Sequence, residues 1–219
     1  MFDAVVFDWD GTLADSRRVV VASFQKALIE VDCKISDAFI EQRIGIGSAE
    51  TFREILRSSK TSFNEALIKR LVKLKVRNEV EMSRDITVFD GALQLLQSLR
   101  GKIRLGLASM NDRAVIEHLI KVMSVKRFFS VVVTADDVAR SKPDPEIFLK
   151  CAGELKSSPE KCVVVEDSVF GVEAAKRAKM KCIAVLTGVH SKEMLEKANA
   201  DLIVNSLTEK NEILNFVFC

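Results

Sequence analysis

The sequence lacks any long hydrophobic run and any strong excess of charge of one sign. No apolar stretch approaches the roughly 20 residues that span a bilayer, so we expect no membrane partner. The 33 lysine and arginine residues nearly balance the 31 aspartate and glutamate residues, and the formal net charge is +2. Nucleic-acid-binding proteins usually have a strong basic excess, so no nucleic-acid partner is expected. The first residues, MFDAVVFDWDG, carry acid where a secretion signal carries base, so we expect a soluble, globular, cytoplasmic protein.

Glycine and proline are also scarce, with nine and three residues among 219. Together with 48% hydrophobic and 29% charged residues, this scarcity excludes a collagen-like, disordered or low-complexity chain. A chain of this length has room for one or two domains and for a sizeable core.

Paired cysteine spacings are absent as well. The five cysteines are scattered and never form a C-x-x-C pair: Cys33, Cys151, Cys162, Cys182 and Cys219. Thiolate zinc sites need such pairs, so zinc is not expected. Cys162 and Cys182 begin apolar runs, in which a thiol acts as a small hydrophobic side chain. We therefore predict unpaired, reduced cysteines.

The sequence does contain an alternation of short apolar runs and longer amphipathic segments. The runs are continuous and rich in β-branched and aliphatic residues, which is typical of a parallel sheet covered on both faces. The predicted strands are Ala4–Phe7, Ile103–Ala108, Val131–Val133, Cys162–Val165, Cys182–Leu186 and Leu202–Val204. The predicted helices are Ala92–Leu99, Asp112–Met123, Pro145–Leu155, Val169–Lys179 and Lys192–Ala198. This order predicts an α/β fold, a doubly wound parallel sheet with right-handed crossovers.

Residues 16–84 interrupt the alternation, because they contain helical stripes and no convincing strand. Three sets of apolar residues each share one helix face: Val20, Phe24, Ala27 and Leu28; Phe52, Ile55 and Leu56; Leu67, Leu71 and Leu74. We predict a helical cap domain over residues 16–84, inserted into an α/β core domain formed by residues 1–15 and 85–219.

Local patterns predict where some helices start. In the stretch SKPDPEIF, Asp144 is predicted to be the N-cap and Pro145 the first helical residue. Ser48 is predicted to cap the helix that carries Glu50. Asp112 is also predicted to be a helix cap.

The most informative motif directly follows the first predicted strand. Asp8 and Asp10 lie two residues apart, and Gly11 and Thr12 follow. Ligands of open α/β sheets bind at the carboxyl ends of the strands, so we expect chemistry at this point. Two carboxylates so close together repel each other unless a cation or a proton lies between them. Gly11 permits a sharp turn, and Thr12 can donate its hydroxyl and its N–H to an anion.

Later strand ends strengthen this prediction. Ser109 and Asn111 follow one strand, Lys142 lies in the loop after another, and Glu166 and Asp167 end a third. All of these groups can meet the first motif at one edge of the sheet. Carboxylates, a hydroxyl and an ammonium in this arrangement favour metal-assisted phosphoryl transfer over acyl or hydride transfer.

The ordered set DxDGTL, Ser109, Lys142 and Glu166-Asp167 resembles the four motifs of the haloacid dehalogenase superfamily of phosphohydrolases. The helical insertion after the first strand resembles the cap of its phosphoglycolate phosphatase and β-phosphoglucomutase branch. The stretches KPDPEIF and EDSVFGVEAAKRAKM are similar to the family too. One departure is Lys179, which stands at a helix end where relatives usually carry glycine.

The resemblance implies roles for these residues. Asp8 is the expected nucleophile, which forms an aspartyl-phosphate, and Asp10 the expected general acid and base. Mg²⁺ is the expected cofactor, held by the carboxylates of Asp8 and Asp167 and the carbonyl of Asp10, with Glu166 as a ligand or a partner of a ligand. The residues expected to bind phosphate are Thr12, Ser109, Asn111 and Lys142.

Several alternatives stay open. β-Phosphoglucomutases resemble this chain in cap type, but they carry a histidine near Val20 and a basic residue near Ser48. A phosphonoacetaldehyde hydrolase would need a cap lysine that forms a Schiff base. A binding module that keeps its phosphate site without turnover is a non-enzymatic alternative. Dehalogenases lack the second aspartate, so Asp10 favours phosphate chemistry.

The expected substrate is a small phosphorylated metabolite, with phosphoglycolate or a sugar phosphate as first choices. The cap loop that contains Arg43, Gly45, Gly47 and Ser48 is either a specificity element that faces the site or a turn between helices. A monomer can account for every apolar stripe.

Overall fold

The computed structural model of the protein describes residues 2–218. The prediction for Cys219 therefore lies outside the described residues. The strands are β1 (Ala4–Phe7), β2 (Ala14–Asp15), β3 (Thr87–Val88), β4 (Arg104–Ala108), β5 (Val131–Val133), β6 (Cys162–Glu166), β7 (Lys181–Val185) and β8 (Leu202–Val204). The helices are α1 (Arg17–Leu28), α2 (Asp37–Glu41), α3 (Ser48–Ser58), α4 (Glu65–Glu81), α5 (Ala92–Leu99), α6 (Arg113–Val122), α7 (Glu146–Glu154), α8 (Val169–Arg177), α9 (Lys192–Lys197) and α10 (Lys210–Phe218).

A six-stranded sheet forms the centre of the larger part of the molecule. Its strand order is β5-β4-β1-β6-β7-β8, and every pairing is parallel. Every predicted strand is present, with ends that differ by at most one residue. The α/β fold class predicted from the sequence is confirmed.

Helices cover both faces of this sheet. Successive residues of β1 point to opposite faces, so Val5 and Phe7 join one apolar cluster and Ala4 and Val6 join the other. Helices α5, α6 and α10 contribute to the first cluster, and α7, α8 and α9 to the second. Burial on both faces explains why the strand sequences are continuously apolar. Helix α10 and the two-residue strands β2 and β3 were not predicted.

Helices α1 to α4, which we call the helical insertion, lie between β2 and β3 and have an apolar cluster of their own. Phe24 and Phe52 meet there with ring centroids 4.7 Å apart. The predicted stripe on α4 is displaced by one position at its start. Ile68 is buried, whereas Leu67 is half-buried.

The short strands join the two parts of the molecule. β2 leads into the helical insertion and β3 leaves it, and the two pair antiparallel, with Ala14 opposite Val88 and Asp15 opposite Thr87. The chain therefore enters and leaves the helical insertion at one place.

Two predicted helix starts need correction, and the third, Asp112, is confirmed in position. Pro145, not Asp144, is the N-cap of α7, although Asp144 Oδ1 still accepts the N–H of Glu146 at 3.0 Å. Ser48 is the first residue of α3 rather than its cap, and its hydroxyl donates to Asp112 Oδ2 at 2.7 Å. Asp112 is the N-cap residue of α6, but its carboxylate is turned to this contact between the two parts of the molecule.

Cys33, Cys151, Cys162 and Cys182 are free and buried, as predicted. Lys179 follows α8 with a φ of 62°, the left-handed conformation in which glycine is favoured. Between residues 2 and 218, none of the helices combines the length and the apolar character that crossing a membrane requires.

Gly106 in β4 provides a test of the packing between the sheet and α7. A Cβ atom at this position would lie 2.5 Å from Cys151 Sγ and 2.9 Å from Leu155 Cδ1. We expect Gly106→Ala to lower the free energy of unfolding by about 1–3 kcal/mol, measured by urea denaturation, because the core must shift. Gly153→Ala in α7 is the matched control, since among the described residues nothing lies within 4 Å of its added Cβ. We expect it to leave stability unchanged or to raise it, and equal losses in both variants would contradict the prediction.

Candidate active site

Three neighbouring strands deliver polar side chains to one edge of the sheet. Asp8 follows β1, Ser109 follows β4, and Asp167 follows β6. Because β4, β1 and β6 are adjacent and parallel, their carboxyl ends lie side by side. The N–H of Asp8 donates to Val165 O at 3.0 Å, and the N–H of Ser109 donates to Val133 O at 3.0 Å, so both residues are held by the sheet.

Lys142 brings a positive charge to this edge from the loop before α7. Its ammonium donates to Asp8 Oδ1 at 2.6 Å and to Glu166 Oε1 at 2.7 Å. The side chain is fully buried. Glu166 Oε2 accepts the N–H groups of Asp167 and Ser168 at 2.7 and 2.6 Å, so both oxygens of Glu166 are engaged within the protein. Glu166 therefore positions Lys142 and the turn after β6.

The surroundings of Asp8 disfavour the ionised form of its carboxyl group. Burial raises the pKa of Asp8 to about 8, and the charges of Glu166 and Asp10 add to that rise, while Lys142 opposes it. Burial, Glu166 and Asp8 likewise raise the pKa of Asp167 well above its usual value. The edge therefore carries more carboxylate charge than Lys142 can balance.

Asp167 lies between two glycines. A Cβ atom would come within 2.3 Å of Asp167 Oδ2 if placed on Gly11 and within 2.0 Å if placed on Gly188. Thr12 Oγ1 donates to Asp167 Oδ1 at 2.8 Å. The N–H of Thr12 donates to Trp9 O at 3.3 Å. Thr12 thus positions Asp167, and its contact with a phosphate stays a prediction.

Asp10 is held by donors from several elements. Ser16 Oγ donates to Asp10 Oδ1 at 2.6 Å, and Asn111 Nδ2 donates to Asp10 Oδ2 at 3.2 Å. Ser109 Oγ lies 3.5 Å from Asp10 Oδ2. Ser16 was not singled out in the sequence, because a serine before a helix is normally read as a cap.

The helical insertion adds an ion pair that sequence reasoning missed. Lys75 and Glu79 lie one turn apart on α4, are almost fully buried and form an ion pair with each other. Lys75 Nζ donates to Asn111 Oδ1 at 2.8 Å, and Asn111 Nδ2 donates to Glu79 Oε1 at 2.7 Å. Asn111 thus joins the ion pair to Asp10.

The ionisation of this pair follows from its surroundings. Burial would lower the pKa of Lys75, but the carboxylates of Glu79 and Asp112 outweigh it and leave the pKa raised. Burial raises the pKa of Glu79, and the ammonium of Lys75 opposes that rise. Lys75 is therefore a cation. The sequence signal was the continuation of the buried stripe of Ile68 and Leu71 into two charged positions.

A cavity of about 30 Å³ lies between the helical insertion and the strand ends. Its lining comes from both parts of the molecule: Asp8, Asp10, Val20, Phe24, Arg43, Ile44, Gly45, Gly47, Ser48, Thr51, Lys75, Met110 and Asn111. The loop residues Arg43, Gly45, Gly47 and Ser48 thus face the site. A cavity of this volume has room for a few water molecules, at roughly 10–15 Å³ each.

The donor atoms at this edge fit Mg²⁺. Asp8, Asp167 and the carbonyl of Asp10 offer hard oxygen ligands, and a divalent cation would offset their surplus of negative charge. A larger residue in place of Gly11 or Gly188 would collide with the carboxylate of Asp167. Within residues 2–218, no three His, Cys, Asp or Glu side chains are placed to hold a metal by themselves. Main-chain, water and substrate oxygens would complete the ligand set, as they commonly do for Mg²⁺.

Comparisons with known proteins agree with this geometry. A family model described as haloacid dehalogenase-like hydrolase matches residues 5–185. The chain is 30% identical over 215 residues to a phosphorylated carbohydrates phosphatase from Thermotoga maritima, covering 97% of each chain. It is 30% identical over 210 residues to the chloroplastic 5-amino-6-(5-phospho-D-ribitylamino)uracil phosphatase of Arabidopsis thaliana, covering 93% of this chain and 54% of that protein. The chain thus spans about half the length of the second relative.

A solved structure is similar over nearly the whole chain. It is that of CbbY from Rhodobacter sphaeroides in complex with phosphate, with a TM-score of 0.83 and 27% sequence identity. The match covers 95% of this chain and 96% of that one.

The raised pKa of Asp8 predicts a gain in stability when its charge is removed. The pKa rises from 3.8 to about 8 on folding, so ionised Asp8 destabilises the fold increasingly as pH rises through that range. We expect Asp8→Asn, in EDTA, to raise the free energy of unfolding on the order of 1–3 kcal/mol near pH 8, and by less near pH 5. Urea denaturation at both pH values measures the difference. Asp90→Asn, at an exposed carboxylate, should change neither value. A lower stability of Asp8→Asn at both pH values would mean that its ion pair with Lys142 outweighs burial.

Proposed function

The chain belongs to the haloacid dehalogenase-like hydrolase family and is a phosphatase of phosphorylated substrates, and on that premise we propose its mechanism. It hydrolyses a small phosphate monoester in two steps, through an aspartyl-phosphate on Asp8, with Mg²⁺ as its cofactor. The observation that carries this proposal is the meeting of Asp8, Asp10 and Lys142 at one edge of the sheet, beside the cavity that Asp8 and Asp10 line.

In the first step Asp8 acts as the nucleophile. A carboxylate oxygen of Asp8 attacks the phosphorus, the bond from phosphorus to the alcohol oxygen breaks, and Asp10 gives a proton to that oxygen. In the second step Asp10 takes a proton from a water that attacks the aspartyl-phosphate, which releases inorganic phosphate and restores Asp8. The hydrogen bonds of Ser16 and Asn111 to Asp10 support this role, because they hold its carboxyl group in one orientation.

The negative charge of the transferring phosphoryl group needs positively charged groups beside it. Lys142 lies at hydrogen-bonding distance from Asp8, so it supports Asp8 in its ionised form and can bind a phosphoryl oxygen. Ser109 and Asn111 are the further proposed phosphate contacts. Bound Mg²⁺, held by Asp8, Asp167 and the carbonyl of Asp10, would offset the charge of the phosphoryl oxygens. Glu166 supports this site indirectly, through Lys142.

The helical insertion acts as a cap domain in this proposal. Residues 16–84 form the cap, and residues 1–15 and 85–219 form the core. The loop with Arg43, Gly45, Gly47 and Ser48 contacts the leaving group. Closure of the cap excludes water from the first step. The names of the relatives favour a sugar phosphate over phosphoglycolate, since they act on phosphorylated carbohydrates and a phosphoribityl compound.

The alternatives receive less support. Val20 and Ser48 line the cavity at the places where mutases carry histidine and a basic residue. Lys75 is a cap lysine in the cavity, but a Schiff base needs a neutral amine, and the ion pair with Glu79 keeps Lys75 charged. A binding module without turnover would not require a general acid, whereas Ser16 and Asn111 hold the carboxyl group of Asp10 in one orientation.

Substitution of the two aspartates tests the mechanism. We expect Asp8→Asn and Asp10→Asn each to lower kcat by about a thousandfold or more on p-nitrophenyl phosphate and on a panel of sugar phosphates. Released phosphate measures turnover. Asp15→Asn, on an exposed carboxylate of the same segment, should keep activity close to that of the original protein. Full turnover by Asp8→Asn would exclude the aspartyl-phosphate, and isomerisation of a sugar phosphate without release would favour a mutase.

Removal of the metal provides a second test. We expect EDTA to abolish phosphate release and added Mg²⁺ to restore it, because the carboxylate surplus needs a divalent cation. Beryllium fluoride with Mg²⁺ should form a stable adduct with the original protein and not with Asp8→Asn. Activity that survives complete chelation would contradict the proposed cofactor.

A further inference from the structure

On the side of the cavity that would face the leaving group, each cation is already paired with a carboxylate. Lys75 is paired with Glu79, and its ammonium also lies 3.9 Å from Asp112 Oδ2. Arg43 Nε lies 2.6 Å from Glu54 Oε2, and Arg43 NH1 donates to Phe39 O at 2.8 Å. Each cation that lines the cavity on the side of the helical insertion thus has a carboxylate of its own.

The amide of Asn111 is oriented so that its nitrogen donates to Glu79. Lys75 and the N–H of Asp112 both donate to Asn111 Oδ1, at 2.8 and 2.9 Å. Both are donors, so they fix the amide with its oxygen towards them and its nitrogen towards Glu79 and Asp10. Glu79 Oε1 then accepts from this nitrogen, and Glu79 Oε2 faces the ammonium of Lys75.

The rest of this lining suits an uncharged, hydroxylated group. Ser48 donates to Asp112 Oδ2 and Thr51 donates to Gly47 O, so the oxygen of each hydroxyl stays available as an acceptor. Val20, Phe24, Ile44 and Met110 give the cavity apolar walls. A carboxylate placed among them, beside cations that are already paired, would be desolvated without a new partner, which is costly.

We propose that the helical insertion selects phosphate monoesters of uncharged, hydroxylated alcohols, such as polyols and sugars, and rejects monoesters whose alcohol carries a carboxylate. The inference rests on the proposed function, because it concerns the leaving group of that reaction. Glu79 is the specificity-determining residue: its charge cancels that of Lys75, which would otherwise attract an acidic leaving group.

A size-matched pair of substrates tests the inference. 2-Hydroxyethyl phosphate and phosphoglycolate differ in one place, where a CH₂OH group replaces a carboxylate. We expect kcat/KM of the original protein to favour 2-hydroxyethyl phosphate by at least about tenfold. A preference for phosphoglycolate would overturn the proposal, whether or not any variant folds.

Glu79→Gln should reverse this preference. The variant keeps the shape of the side chain and leaves Lys75 without its counter-ion, so we expect the ratio of the two kcat/KM values to move towards phosphoglycolate by at least about tenfold. Glu81→Gln makes the same charge change at an exposed position of α4 and should leave the ratio unchanged. An unchanged ratio in a folded Glu79→Gln protein, checked by thermal unfolding, would contradict the role of Glu79.

Turnover of p-nitrophenyl phosphate separates this inference from the proposed function. If it is hydrolysed and requires Asp8, but phosphoglycolate is preferred over 2-hydroxyethyl phosphate, the proposed reaction stands and the inference alone fails. If none of the three compounds is hydrolysed, the proposed function fails first.

Discussion

Lys142 carries its ammonium into a place where four carboxyl groups crowd together at the ends of β1 and β6. Its hydrogen bonds to Asp8 and Glu166 join the loop before α7 to both strands, and they are made in a fully buried setting. In such a setting an unpaired carboxylate is costly, and this lysine provides a partner for two of the four. Through Glu166, whose other oxygen accepts the N–H groups of Asp167 and Ser168, Lys142 is also joined to the turn after β6.

A second buried lysine repeats this arrangement on the other side of the cavity. Lys75 is paired with Glu79 as Lys142 is paired with Glu166, and Asn111 connects the second pair to Asp10. The two ion pairs differ in their charge balance. Lys142 is outnumbered by carboxylates, which suits a site for a cation and a phosphoryl group, whereas Lys75 and Glu79 cancel each other, which suits a neutral group.

The sequence was sufficient to predict the elements whose signal is local. Continuous apolar runs located the strands, and polar residues directly after them identified Asp8, Ser109 and Asp167 as neighbours at one edge. The prediction failed where partners are far apart in the chain. The hydroxyl of Thr12 donates to Asp167 and that of Ser48 to Asp112, and local rules predict neither of these contacts with distant residues. Lys75 and Glu79 were missed for the same reason, because their role becomes visible when α4 packs against Asn111.

The pairing of β2 with β3 also has a consequence for how the chain folds. Because the two ends of the helical insertion are held side by side, the insertion is a closed loop in terms of chain entropy. Closing a long loop costs little more than closing a short one, since the cost grows with the logarithm of its length. The length of the insertion therefore adds little to the entropy cost of pairing β1 with β4 and β6. An insertion attached in this way is free to change in length and sequence while the register of β1 against β4 and β6 is preserved.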